Sequence, residues 1–261
     1  MTDVPGFNRG SDVLAYTVTF GDRPYLSKLV PAMRAHAGMW FDWAVFVGAP
    51  SSALLEEARA LVNHPQQRGI QFLMGWSENR GQHHATKKAL EFAKEHGYKW
   101  LVRIDDDVKP KTKRFLKHMI DRLEQLKAAS GDPLYRLVAS PKVVGLENRL
   151  TPIDAIRIPG LKFDTEVMEF LGGAFRVHNV EFFSDYKPPL YAPIGRGDPG
   201  SIMEYVTGHE GLLVRFPDIR VVHRTKEIEA DDTEADKLRR TMSSYWPYLG
   251  PDDLLALTEQ R

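Results

Sequence analysis

The chain has 261 residues, of which 43% are hydrophobic, with 35 lysines and arginines set against 35 aspartates and glutamates. That is enough apolar material for one large domain or two small ones, and the zero formal balance gives no overall pull toward nucleic acid or an anionic membrane. Cysteine is absent, which excludes a disulfide framework and a thiolate metal site.

The first dozen residues, MTDVPGFNRGSD, lack a basic region followed by an apolar run, so no secretory signal is expected. No apolar stretch approaches the roughly 20 residues that a membrane helix needs. The expectation is a soluble, cytoplasmic protein with no membrane span. No fixed-period repeat or low-complexity block is present.

In chain order, a β-branched and aromatic run over 13–20 predicts a strand. The turn GDRP follows, and then a helix with Leu26, Leu29, Val30 and Met33 on one face. Residues 41–50 (FDWAVFVGAP) read as a second buried strand. Ser51 and Ser52 can cap the helix that follows, ALLEEARALV. Residues 69–76 predict a third strand. SENRGQHHATKKALEFAKEHG is a loop running into a helix closed by Gly97. KWLVRI is a fourth strand, and TKRFLKHMIDRLEQLKAAS a long amphipathic helix.

Strands thus alternate with helices through residue 130, which implies βαβ units, a parallel sheet and right-handed crossovers. The second half is less regular. RLVASPKVVGL and DAIRIPGLKF look like strands, the latter antiparallel. FLGGAFRVHN carries a Gly pair inside an apolar run. APIGRGDPGS has the composition of a loop, IMEYVTGHEG is helical, and LLVRFPDIRVVH predicts two short strands around Pro217. The tail, interrupted between Pro247 and Pro251, predicts two helices.

The stretch KWLVRIDDDVKP, residues 99–110, carries the strongest chemical signal. Three adjacent carboxylates, Asp105, Asp106 and Asp107, repel one another and seldom end a buried strand unless something positive neutralises them. A divalent cation is the usual candidate. Ligands bind at the carboxyl ends of strands in such sheets, where residues 19–23, 48–51, 76–81 and 105–107 all converge. In an extended strand residues 103, 105 and 107 share one face, so Asp105 and Asp107 can serve one ligand while Arg103, a charge inside the strand, needs a partner. An acidic turn that caps the next helix at Thr112 is the alternative on spacing alone.

The order of these segments resembles a GT-A fold glycosyltransferase, in particular the large inverting family that uses nucleotide-diphospho sugars. The resemblance covers roughly residues 13–224. ENRGQHHATKKAL is similar to the family's Asn-x-Gly loop and helix, RIDDDV to its Asp-x-Asp motif and LGGAF to its Gly-Gly acceptor segment. GRGDPGSIMEYVTGHEGLLVRFPDIRVVH is similar to the segment that runs from the catalytic carboxylate to the His completing the metal site. The chain departs from the pattern at Gly48, where the family has an Asp for the nucleoside. It departs again at Thr86 and Lys87 in place of Arg-Asn, and at Gly197-Asp198 in place of Glu-Asp.

The resemblance implies an α/β, Rossmann-like fold: a mostly parallel central sheet flanked by helices, with a smaller antiparallel acceptor-side sheet. It implies one catalytic domain over 1–261, comprising a nucleotide-sugar half (1–130), an acceptor and catalytic half (131–225) and a helical tail (226–261). The implied activity moves a sugar from a nucleotide-diphospho donor, a UDP-sugar first, to an acceptor hydroxyl with inversion. Asp107 and His223 are the implied metal ligands, with Asp105 on the metal, on its water or on the ribose. Neutral imidazole suits manganese better than magnesium. Asp198 is the implied general base and Glu204 the second candidate. Thr19, Arg23, Asn79, Gly81, Lys87 and Asp105 are candidates for nucleotide contact. His83 and His84, adjacent on a helix, read as surface or nucleotide-adjacent polar residues rather than as ligands.

The acceptor is left open between a glycan, a small hydroxyl compound and a hydroxymethylated DNA base. The last rests on the basic run Lys109, Lys111, Lys113, Arg114 and Lys117. Two other classes compete. A sugar-phosphate nucleotidyltransferase needs a Gly-rich basic loop after the first strand, and TFGDRPYLSK has one Gly. A non-catalytic module would hold calcium structurally on the aspartates.

Overall fold

The computed structural model describes residues 9–21, 25–62, 70–76, 81–131, 136–145, 152–187 and 197–223. Through the first half the elements follow the expected alternation: β1 (Val13–Gly21), α1 (Leu26–Ala37), β2 (Asp42–Pro50), α2 (Ser52–Val62), β3 (Phe72–Trp76), α3 (Gly81–Glu95) and β4 (Trp100–Ile104). The second half contains β5 (Val108–Pro110), α4 (Phe115–Ser130), β6 (Leu137–Val144), β7 (Pro152–Ile156), β8 (Thr165–Met168), β9 (Phe175–Asn179), α5 (Gly197–Gly208) and β10 (Leu212–His223).

One ten-stranded sheet holds them, in the order β3-β2-β1-β4-β9-β6-β10-β8-β7, with β5 added onto β10. Strands β3, β2, β1 and β4 are parallel. Strand β9 enters antiparallel between β4 and β6, β10 runs parallel to β6, and β8 and β7 finish the sheet antiparallel. The antiparallel strands of the second half extend the parallel sheet of the first half directly, so the two halves share one hydrogen-bonded surface.

Alternation along the strands divides the core. Val13, Ala15, Trp100, Val102 and Ile104 face one side, where they join buried residues of α1, α2 and α4. Leu14, Tyr16 and Leu101 face the other, with α3 and α5. Each large apolar side chain buried in this way contributes about 1.5–3 kcal/mol. Helix α4 shows the logic: Phe115, Met119, Leu123 and Leu126 recur at three and four residues and are all buried. Polar groups inside these cores find partners. Trp43 Nε1 donates to Thr17 Oγ1 at 3.1 Å. The buried Asp42 carboxylate accepts from Tyr98 Oη at 2.8 Å, from Gly10 N at 3.0 Å and from Trp40 Nε1 at 3.2 Å. Burial, with Asp42 beside it, pushes the Tyr98 phenol above its ordinary range.

Three expectations need correction. The segment LLVRFPDIRVVH forms one strand, not two. Pro217 lies where the register of β10 against β6 shifts, between Phe216 and Arg220, so its missing N–H leaves no gap in the ladder. Arg122 clamps this bulge through Asp218 (2.5 and 2.6 Å) and holds that carboxyl below its ordinary range. Second, helix α5 begins at Gly197, inside the segment read as a loop. Pro199 is tolerated in a first turn because the N–H it lacks would have no helical partner there. Third, His83 is buried, not a surface residue. The short strands β5 and β8 were not anticipated, being too brief for a periodic signal. The tail expected to form two helices lies outside the described residues.

One glycine bears directly on the site. Gly145 follows β6 with φ +98°, and a Cβ there would lie 2.5 Å from the carbonyl oxygen of His223. Gly145→Ala is expected to cost roughly 1–3 kcal/mol from the backbone conformation alone, with a further loss from the clash. Gly160, at φ +90° with nothing within 4 Å of where a Cβ would stand, is the control for conformation without clash. Thermal denaturation should show Gly145→Ala melting well below Gly160→Ala; equal losses would mean that the contact with His223 is relaxed at no cost.

Candidate active site

The site is built around the acidic turn. β4 ends at Ile104, and Asp105, Asp106 and Asp107 form a tight turn into β5, closed by Val108 N–H to Asp105 O at 3.3 Å. Strand geometry does not continue through all three, so each aspartate meets a different partner. Asp105 accepts from both Nε and Nη2 of Arg103 at 3.0 Å, as expected for neighbours on one strand face. Asp106 turns inward and accepts from Thr19 Oγ1, at the end of β1, at 2.7 Å; both residues are buried. Asp107 Oδ1 lies 3.2 Å from His223 Nε2.

His223 is the last residue of β10, far from Asp107 in sequence. It is brought there because β5, the strand leaving the acidic turn, pairs antiparallel with the end of β10, with His223 opposite Val108. The result is a group in which Asp105, Asp107 and His223 each offer a ligand atom, all within 4.8 Å of one another. Asp107 is buried, and Asp105 and His223 are partly so. Two carboxylates and one imidazole, with no sulfur, form a donor set suited to manganese or magnesium. A cation here would offset the mutual repulsion of the carboxylates that Arg103 offsets only in part. The residues therefore fit a divalent cation and constitute a candidate metal site.

The backbone N–H of Asp105 donates to Ala174 O at 2.9 Å, so the Gly172-Gly173 segment abuts the metal turn. Helix α5 ends beside the start of β10 through Gly211, whose N–H bonds Val206 O. Its first turn, at the opposite end of the helix, carries Asp198. Glu204 is exposed further along the same helix.

The nucleotide candidates divide. The Thr19 hydroxyl is committed to Asp106. Gly81 is the first residue of α3. Arg23 and Asn79 lie outside the described residues. Lys87 sits on α3 with Glu91 at 3.9 Å and lines a cavity of about 380 Å³ together with Lys94, Phe183 and Tyr186. Thr86, at a position where the resemblance expects Arg, is fully buried and bonded to Tyr16 Oη at 2.9 Å. It is a core residue. A larger cavity of about 490 Å³, bounded by β2, β3 and the second half of α3, is apolar and contains none of the triad.

Sequence reasoning missed the Thr19–Asp106 bond and the role of Gly145, which depend on contacts between distant segments. It also missed Arg176, fully buried on β9 opposite Arg103. Its signal was present as a lone charge inside the apolar run FLGGAFRVHN.

No family model and no curated protein matches the sequence. Solved structures do. GalNAc-T7 with UDP, GalNAc and Mn2+ superimposes with a TM-score of 0.59 at 12% identity, over 81% of this chain and 43% of that one. The mannosyltransferase PcManGT from Pyrobaculum calidifontis, in complex with GDP-Man and Mn2+, gives 0.58 at 13% identity, over 98% of this chain and 76% of that one. S. aureus TarS gives 0.52 at 10% identity, over 88% of this chain and 38% of that one. The chain thus spans less than half the length of the first of these structures. With the parallel half-sheet, the inserted antiparallel β9 and the acidic turn at the strand ends, these likenesses establish that the chain has the GT-A glycosyltransferase fold.

Proposed function

We propose that the protein is a metal-dependent glycosyltransferase that moves a sugar from a nucleotide-diphospho donor to an acceptor hydroxyl, with inversion. The observation that carries this reading is the Asp105–Asp107–His223 group at the carboxyl edge of the parallel strands in a GT-A fold. Neighbours of that fold were solved with UDP or a GDP-sugar together with Mn2+, which supports a nucleotide sugar as donor. No helix among the described residues is long and apolar enough to cross a membrane.

In this mechanism Asp107 and His223 would hold the cation, with Asp105 as third ligand or on a ligand water. Bound there, a divalent ion supplies Lewis-acid stabilisation of the departing diphosphate. The chain's own residues do the rest. Arg103 keeps Asp105 in place, and Thr19 removes Asp106 from competition by burying it in a hydrogen bond. Asp198, at the first turn of α5, takes the proton from the attacking hydroxyl, with Glu204 as second candidate. We read the acceptor as a glycan or small hydroxyl compound.

A calorimetric experiment separates the transferase from the calcium-module reading. A transferase binds UDP or GDP only with Mn2+ present, whereas a structural calcium site ignores nucleotide. A panel of sugar nucleotides assayed for metal-dependent hydrolysis then separates transfer from nucleotidyl chemistry.

Asp107→Ala should abolish nucleotide-dependent metal binding and turnover while the melting temperature holds or rises, because one of three repelling carboxylates is gone. Near-full activity would reject the assignment. His223→Ala should impair use of Mn2+ more than of Mg2+; an equal loss with both would make His223 structural. For the base, Asp198→Asn should leave donor affinity intact and lower turnover by roughly 10²–10⁴. The same pattern in Glu204→Gln instead would move the role to that residue.

DNA is the competing acceptor, and one observation bears on it. Lys109, Lys111, Lys113 and Arg114 are exposed beside the metal turn, while Lys117 is engaged by Asp121 at 2.8 Å. A DNA acceptor would give binding that falls with salt at a slope of about −0.9 per phosphate contacted, flattened by charge reversal at Lys113 and Arg114. A glycan or small acceptor predicts almost no salt dependence. A gel shift with hydroxymethylated duplex DNA at two salt concentrations decides, and no shift at low salt removes the DNA reading.

A further inference from the structure

Arg103 is 1% exposed, in the middle of an otherwise apolar strand. Both of its donated hydrogen bonds to Asp105 end on the same atom, Oδ1, so the guanidinium and any cation share this one carboxylate. Across the β4–β9 ladder Arg103 stands opposite Arg176, which is fully buried. Paired residues project from the same face of a sheet, so two guanidinium side chains share the sheet face beneath the acidic turn. A third buried arginine, Arg215 on β10, is matched by Glu166 at 2.6 Å. Arg103 and Arg176 thus lie together on the sheet face that also carries Asp105.

We propose that Arg103 makes metal capture conditional on the nucleotide. Its buried charge holds down the affinity of the Asp105–Asp107–His223 group for a bare divalent cation, and the negative charge of a bound diphosphate restores that affinity. The inference rests on the metal-dependent reading above. Two effects of Arg103 oppose each other. By fixing the Asp105 rotamer it saves a little side-chain entropy on metal binding. As a fixed charge 3.0 Å from a carboxylate oxygen of Asp105, in a medium that screens poorly, it would repel an ion held by that carboxylate. Asp105 has few rotamers to lose, so the repulsion outweighs the ordering. Linkage makes the coupling reciprocal: whatever factor the diphosphate adds to metal affinity, the metal adds to diphosphate affinity.

The sign of one measurement separates this role from simple orientation of Asp105. Mn2+ is titrated calorimetrically into the wild-type chain, Arg103→Met and Arg103→Lys, each with and without UDP, with GDP in a parallel series. Arg103→Met should bind bare Mn2+ about tenfold or more tightly than wild type, and the enhancement by nucleotide should shrink by a similar factor. Arg103→Lys keeps the charge without the fork and should stay near wild type. Should Arg103→Met fail to fold, Arg103→Gln, which can still donate to Asp105 without the charge, carries the same expectation. Equal or weaker Mn2+ binding by the uncharged variants overturns the proposal while leaving the metal site standing. Absence of Mn2+ binding by wild type, with either nucleotide or with none, overturns the metal reading itself.

Discussion

Three consecutive carboxylates at the end of a buried strand are an electrostatic problem, and the architecture around them can be understood as its solution. No one partner serves all three. Thr19 comes from β1, Arg103 from β4 itself and His223 from β10, and each takes one aspartate. The acidic turn is thereby tied to strands from both halves of the chain. Removing Thr19 or Arg103 takes a hydrogen-bond donor from an aspartate at this partly buried edge, which costs more than an ordinary surface substitution. The same ties keep Asp105 and Asp107 close enough for a cation to complete the balance.

The sheet makes that convergence possible. A parallel half-sheet brings several strand ends to one edge. The insertion of β9 antiparallel beside β4 sets the Gly172-Gly173 segment against the same turn, and the pairing of β5 with β10 delivers His223. The glycine after β6 lets the backbone of His223 pass closely. Polar groups buried elsewhere have a different purpose. Asp42 gathers three donors around the start of β2 and so fastens loops to the sheet.

Likeness to solved structures at 10–13% identity speaks to the fold, and the chemistry has to come from this chain's own side chains. The acidic turn gathers a candidate metal group, whereas the start of α3 is partly taken up by the core. Thr86 is absorbed into the core by its bond to Tyr16, and Lys87 looks onto a cavity beside Phe183 and Tyr186.

The first half of the fold was legible in the sequence because its signals are local. β-branched runs alternate with amphipathic helices, and a strand ending in DDD names its own chemistry. Arg103 and Asp105 could be placed on one face from a period of two alone. What stayed hidden depends on partners distant in sequence. Asp106 looks equivalent to its neighbours until the turn directs it to Thr19. Pro217 reads as a break until the sheet absorbs it in a bulge, and Gly-Asp-Pro-Gly reads as a turn until α5 starts on it. Strands of three and four residues, β5 and β8, have too few positions to show a period and exist because β10 offers them a ladder. Composition and periodicity determined the elements and the acidic motif. The tertiary structure decided which carboxylates join the candidate metal group, which faces the core and which histidine completes the group, because those choices are made by strand pairing, and pairing is not written in any one segment.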